Sequence, residues 1–127
     1  MNELIRYNFL HKIAKVVNPK TFIEIGVAAG DNAVHVLKNN NVERYDGYDV
    51  FDYSDKEFHK RAGNGKECLS ENKIYTKLSK YCENVILHKG MTSDTLWGKD
   101  ICADMVWIDG DHRIEAIKKD FESVKRS

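Results

Sequence analysis

The sequence predicts a doubly wound α/β domain built on a short parallel sheet, and three observations carry that expectation. Short apolar, β-branched runs alternate with helical stripes along the chain, the pattern of strands joined by helical crossovers. The run Ala103–Ile108 is apolar on both faces, as a buried parallel strand is. Third, Phe22-Ile23-Glu24-Ile25-Gly26-Val27-Ala28-Ala29-Gly30-Asp31-Asn32 carries a strand through a glycine turn into a helix. Such a unit offers free N–H groups and a positive dipole end to a ligand, and is more often than not a nucleotide-handling device.

Each element follows from its residues. Leu4, Ile5, Phe9, Leu10, Ile13, Ala14 and Val17 recur at helical spacing, so Asn2 to Val17 reads as an amphipathic helix that Pro19, the only proline, stops. Strand 1 runs from Thr21 to Val27. The helix from Asp31 to Asn39 turns Ala33, Val34 and Leu37 inward and ends at Asn39-Asn40-Asn41. Strand 2 covers Arg44 to Val50. Phe51 to Gly65 is polar and irregular, with a capping-box pattern Ser54-x-x-Glu57 for one short helix ending near Gly63. Ile74, Tyr75, Leu78, Tyr81 and Cys82 mark a helical stripe over Ser70 to Cys82, and Val85 to Leu87 is strand 3. Gly90 to Asp94 turns into a brief helix through Trp97. After strand 4, Ile114, Ile117, Phe121 and Val124 set an apolar stripe on a last helix, Arg113 to Lys125. The expected strand order is 3-2-1-4. Its switch point lies between strands 1 and 4, at whose carboxyl ends ligands bind.

Bulk composition narrows the function classes. The 127 residues have room for one domain and one core, an N-terminal helix over 2–17 and a core over 21–125. Lys plus Arg equals Asp plus Glu at 20 each, which argues against an electrostatic grip on nucleic acid or an anionic membrane. Apolar runs are too short for a membrane span. Cys68, Cys82 and Cys102 lack C-x-x-C spacing and read as buried thiols of a reducing compartment, so the cytoplasm is expected.

Three segments carry chemistry, and all fall at the switch point. In the first, Glu24 lies two places before Gly26 in an apolar strand. A carboxylate there costs several kcal/mol unless it finds donors or a cation such as an ammonium. Gly26 and Gly30 suit a tight turn and a close ligand approach, with Ala28 and Asp31 in the same loop. The spacing is acidic-x-Gly-x-x-x-Gly rather than the dinucleotide G-x-G-x-x-G, and it resembles motif I of class I S-adenosylmethionine-dependent methyltransferases. The second is Asp49, about 20 residues beyond the turn, where a carboxylate accepts both ribose hydroxyls or else caps a turn. Val50 and Phe51 follow it, and Phe51 is either an adenine wall or plain core. Met91 and Thr92, after strand 3, edge an adenine ring or begin the short helix. The third is Val106-Trp107-Ile108-Asp109-Gly110-Asp111-His112. Asp109 and His112 pair a hard oxygen ligand with a base titrating near neutrality, and Asp111 is a second base or a helix N-cap.

Ile108-Asp109-Gly110-Asp111-His112, running on to Asp120 and Phe121, resembles the IDG-x-H-x-Y-x-x-V-x-x-D signature of small-molecule O-methyltransferases. This is the methyltransferase-24 type, related to macrocin and catechol O-methyltransferases. Ile114 stands at the usual tyrosine. The resemblance runs from about Thr21 to Phe121. It implies a Rossmann-like three-layer sandwich, S-adenosylmethionine as methyl donor, often Mg²⁺ at Asp109, and His112 as general base. It also implies a seven-stranded sheet of which strands 5 to 7, with the other acidic metal ligands, have no counterpart in these residues. Strand 4 is then an open edge, for which a homo-oligomer or a partner chain is expected.

The function expected is methyl transfer to a small-molecule hydroxyl, with or without a metal. The alternative is a non-catalytic S-adenosylmethionine or S-adenosylhomocysteine binder acting as a sensor or partner subunit. A nicotinamide oxidoreductase is disfavoured by the glycine spacing, and a nucleic-acid methyltransferase by neutral charge.

Overall fold

The chain runs α1 (Glu3–Val17), β1 (Thr21–Ile25), α2 (Asp31–Asn39), β2 (Arg44–Asp49), α3 (Glu71–Leu78), β3 (Asn84–Lys89), α4 (Thr92–Thr95), β4 (Met105–Ile108) and α5 (Ile114–Val124). The computed structural model describes residues 3–51, 70–99, 101–110 and 113–124. All four strands are parallel, in the order β3-β2-β1-β4. The expected order holds, with the switch point beside β1. The short helix expected near 54–63 lies outside the described residues.

Alternation along each strand sorts the side chains into two layers. One face gathers Phe22, Tyr45, Val85 and Met105 under Leu10 and Ala14 of α1, Ala33, Val36 and Leu37 of α2, and Ile74 and Leu78 of α3. The other gathers Ile23, Ile25 and Tyr48 with Leu96 and Val124. Glu24, two places from Phe22 in β1, takes the first face, among helices, and is buried. β1 ends at Ile25 because Gly26 turns to φ 93°. The ladder still runs on for one step on either side: Gly26 N–H donates to the Tyr48 carbonyl (2.8 Å) and Asp109 N–H to the Ile25 carbonyl (2.7 Å). These two bonds bring three strand ends to one place.

Three helical stripes differ from expectation. On α5 the buried residues are Ala116, Asp120, Ser123 and Val124, while Ile114, Ile117 and Phe121 face outward. The reason is polar. Trp97 Nε1–H donates to Asp120 Oδ1 at 2.8 Å, and Ser123 Oγ donates to the Lys119 carbonyl. A fully buried carboxylate must keep such donors, and small Ala116 and Ser123 let the helix come close. On α1 only Leu10 and Ala14 are fully buried; Ile5, Phe9 and Val17 are exposed. That helix packs on α2 and β4 at the flank of the sheet, so a narrow stripe suffices. In α3 the stripe reduces to Ile74 and Leu78, with Tyr75 and Tyr81 outside. Cys82 is buried as expected, Cys102 is exposed, and Cys68 lies outside the described residues. No helix among the described residues is long and apolar enough to cross a membrane.

Candidate functional site

The turn from β1 into α2 is shaped by the protein's own packing. A Cβ on Gly26 would lie 2.1 Å from the Asp109 carbonyl oxygen, so this glycine lets the ends of β1 and β4 touch. Gly30, at φ 78°, faces the Ile74 side chain of α3 at 3.1 Å. The space beside each glycine is thus taken up by the protein's own backbone or core. Ala28 between them holds φ 54°, a left-handed conformation that a residue with a Cβ adopts under constraint. Gly30 N–H closes the turn on the Val27 carbonyl at 3.0 Å. Lys77 of α3 clamps it from outside, its Nζ donating to the Ala29 carbonyl (2.7 Å) and to Asp31 Oδ1 (2.6 Å). Asp31 is otherwise exposed at the first turn of α2.

Glu24 finds its donors inside the protein. Tyr45 Oη donates to Oε1 at 2.6 Å and Asn32 Nδ2 to Oε2 at 3.2 Å. Gly47 makes the first bond possible. It lies beside Glu24 in the β1–β2 register, and a Cβ there would meet the Tyr45 ring and hydroxyl at 2.9 Å. Tyr45 therefore lies along the bare strand to reach the carboxylate. Burial still dominates and pushes the Glu24 pKa up to about 8, helped by the negative charges of Asp109 and Asp49 and opposed by the two donors. Asn32 in turn faces His11 Nε2 through its Oδ1 at 2.9 Å, and the His11 ring stacks on His35 at 3.5 Å. The buried acid is thereby linked to the α1–α2 surface.

Asp49 holds the glycine turn. Its Oδ2 accepts from Val27 N–H (2.8 Å) and Ala28 N–H (3.1 Å), and Oδ1 from Phe51 N–H (3.2 Å). Val50 is half-buried. Phe51 sits in the helical-face core at φ 52°, so its ring is core rather than an exposed wall. Met91 is the N-cap of α4, with no side-chain cap bond, and Thr92 is its first residue rather than its cap. Both stand beyond β3 at the same end of the sheet.

Asp109 closes the site from β4. Arg6 of α1 pairs with Oδ1 at 3.2 Å, and Tyr7 Oη donates to Oδ2 at 3.4 Å. Sequence reading missed both residues, since nothing local announces a contact across about a hundred positions. Tyr45 was missed as well, although a glycine inside a strand signals close approach of another group. Asp111 and His112 lie outside the described residues. Among the described residues no three metal-ligating side chains converge, and Asp109, expected to hold a metal, is ion-paired instead.

Glu24, Asp49 and Asp109 thus meet at the carboxyl ends of three adjacent strands around a glycine turn. A family described as a methyltransferase domain (methyltransferase-24) matches residues 23–127. The chain belongs to this family. Its fold is also similar to that of the O-methyltransferase TomG from Streptomyces achromogenes, involved in tomaymycin synthesis and solved in complex with S-adenosylmethionine. The TM-score is 0.60 at 15% identity, over 98% of this chain and 52% of TomG. At that identity the likeness concerns the fold, and this methyltransferase domain spans about half of the matched chain's length. No curated protein matches the domain in sequence.

Proposed function

We propose that this methyltransferase domain binds S-adenosylmethionine at the carboxyl ends of β1, β2 and β4 and passes its methyl group to a hydroxyl of a small molecule. The observation that carries the reading is the convergence of Glu24 with Asp109 and Asp49, close enough for each to raise the pKa of Glu24. S-adenosylmethionine carries a sulfonium and an ammonium against one carboxylate, a net cation, and it draws on Asp49 directly and on Glu24 once that group has lost its proton, while Asp109 is already paired with Arg6. Bound there, it supplies an electrophilic methyl group on sulfur.

The residues then divide the work. Asp49 receives the ribose hydroxyls through Oδ1 while Oδ2 keeps the turn in shape. Glu24, neutral without ligand, gives up its proton when an ammonium comes near. Asp109 holds the β4 end of the crevice. Asp111 or His112 takes the proton from the acceptor hydroxyl as its oxygen attacks in line, a step that depends mainly on alignment. Magnesium assistance at Asp109 requires Arg6 to give up its ion pair, and other oxygen ligands to join.

Calorimetric titration with S-adenosylmethionine and S-adenosylhomocysteine tests the binding half. Transfer of a labelled methyl group to a panel of catechol, sugar and amino-acid hydroxyls tests the other. Binding without transfer would make this a cofactor-binding domain that does not catalyse, and absence of binding sinks both halves.

A further inference from the structure

We propose that Arg6 of α1 receives the α-carboxylate of the bound cofactor, so that the domain selects adenosine ligands carrying a complete amino-acid head. The inference rests on the proposed binding of S-adenosylmethionine and supplies a partner which that reading leaves out. Asp49 takes the ribose and Glu24 the ammonium. A ligand carboxylate placed beside Asp49, Asp109 and an ionised Glu24 is repelled unless a cation stands with it. Lys77 is engaged outside the turn, with Asp31 and the Ala29 carbonyl. Lys89 ends β3 beside Asp49 in the strand register, on the ribose side. Arg113 lies ahead of α5 and is exposed. Arg6 is ion-paired with Asp109 itself.

The ammonium and carboxylate of an amino acid sit on one carbon, so their partners must be neighbours. Asp109 is near enough to Glu24 to raise its pKa, and Arg6 is bonded to Asp109. The guanidinium is also held firmly. Its Nη1 pairs with Asp109 Oδ1 at 3.2 Å, its Nη2 donates to Tyr7 Oη at 3.4 Å, and its Cζ lies 5.1 Å from the Tyr7 ring centre. Tyr7 Oη donates in turn to Asp109 Oδ2 at 3.4 Å, which closes the group into a ring. The Arg6 side chain is 33% exposed against 13% for Asp109, so the arginine presents the more open surface to an incoming ligand. A planar fork of N–H donors can bridge two carboxylates, and Asp109 then keeps its ion pair. Charges alternate along the occupied site: Glu24, the ammonium, the ligand carboxylate, Arg6 and Asp109.

Calorimetric titration of the 127-residue chain with S-adenosylmethionine and with decarboxylated S-adenosylmethionine is the test. The decarboxylated compound keeps the sulfonium and the ammonium and is the more cationic, so a site relying on acidic groups alone binds it the tighter. With Arg6 in its stated role the wild type prefers S-adenosylmethionine, by about tenfold or more. Arg6→Gln should abolish that preference, chiefly by weakening S-adenosylmethionine. Arg6→Lys should keep part of it, since the charge remains while the fork is lost. Arg113→Gln should leave it unchanged. Should Arg6→Gln alter the far-UV spectrum, the wild-type preference and its partial loss in Arg6→Lys decide. A wild type that binds the decarboxylated compound equally well overturns the assignment and leaves cofactor binding standing. So does a preference that survives Arg6→Gln, or one that is lost in Arg113→Gln instead. A wild type that binds neither compound overturns the proposed function and this inference with it.

Discussion

Replacing Glu24 by Gln tests whether a buried acid governs the pH response of this domain. The folded carboxyl titrates near 8 instead of 4.5. The native state therefore holds a proton that the unfolded chain releases between those values. Stability is greatest at the acid end of that window and falls as pH rises through it. At about 1.36 kcal/mol per unit, Glu24 accounts for about 5 kcal/mol across the whole window and about 4 kcal/mol between about pH 5 and pH 9. That is a large part of the stability of an ordinary domain. Glutamine does not titrate, and its carbonyl still accepts from Tyr45. Its amide faces Asn32 Nδ2, however, which adds a pH-independent penalty of about 1 kcal/mol. The prediction thus concerns slope. Urea unfolding of both proteins at several pH values should show the wild type losing about 4 kcal/mol relative to Glu24→Gln from about pH 5 to pH 9. Taking the difference cancels the other titrating groups. Parallel curves would refute the reasoning, because Glu24 would then be as easily ionised in the fold as in water.

Three further outcomes follow from the same site and its supports. Asp49→Ala should weaken S-adenosylmethionine and S-adenosylhomocysteine by about 1.5–3 kcal/mol in calorimetry, since a charged acceptor is lost; unchanged affinity would make Asp49 a turn residue alone. Gly26→Ala should destabilise by about 2–5 kcal/mol, combining a positive φ with a collision against the Asp109 carbonyl. Gly98→Ala, at φ 79° with nothing within 4 Å, should lose only the conformational part, about 1 kcal/mol, and equal losses in thermal unfolding would contradict the close-approach argument. Asp120→Ala should destabilise by about 2–4 kcal/mol in urea titration, because Trp97 Nε1–H loses a charged acceptor in the core; a loss under about 0.5 kcal/mol would show that the bond does not orient α5.

The alternation of strands and helices was legible because its causes are local. A two-residue period, a 3.6-residue period and the proline or glycine between them act within one element. Hence the strand order and the bounds of α2 came directly from the residues, as did the acidic-x-Gly-x-x-x-Gly turn that led to the methyltransferase family. The roles of individual residues were set elsewhere. Glu24 was visible as a buried acid, but its partner Tyr45 depends on the register that puts Gly47 beside it. Gly26 was visible as a turn, yet what demands it is the backbone of Asp109, brought there by parallel pairing. The apolar stripes of α1 and α5 are equally plain in sequence. Which way they face depends on a longer-range choice, since burying Asp120 against Trp97 turns Ile114, Ile117 and Phe121 out to solvent. A pattern of side chains fixes the elements, whereas the direction each one faces is decided by polar groups that must find partners across the fold.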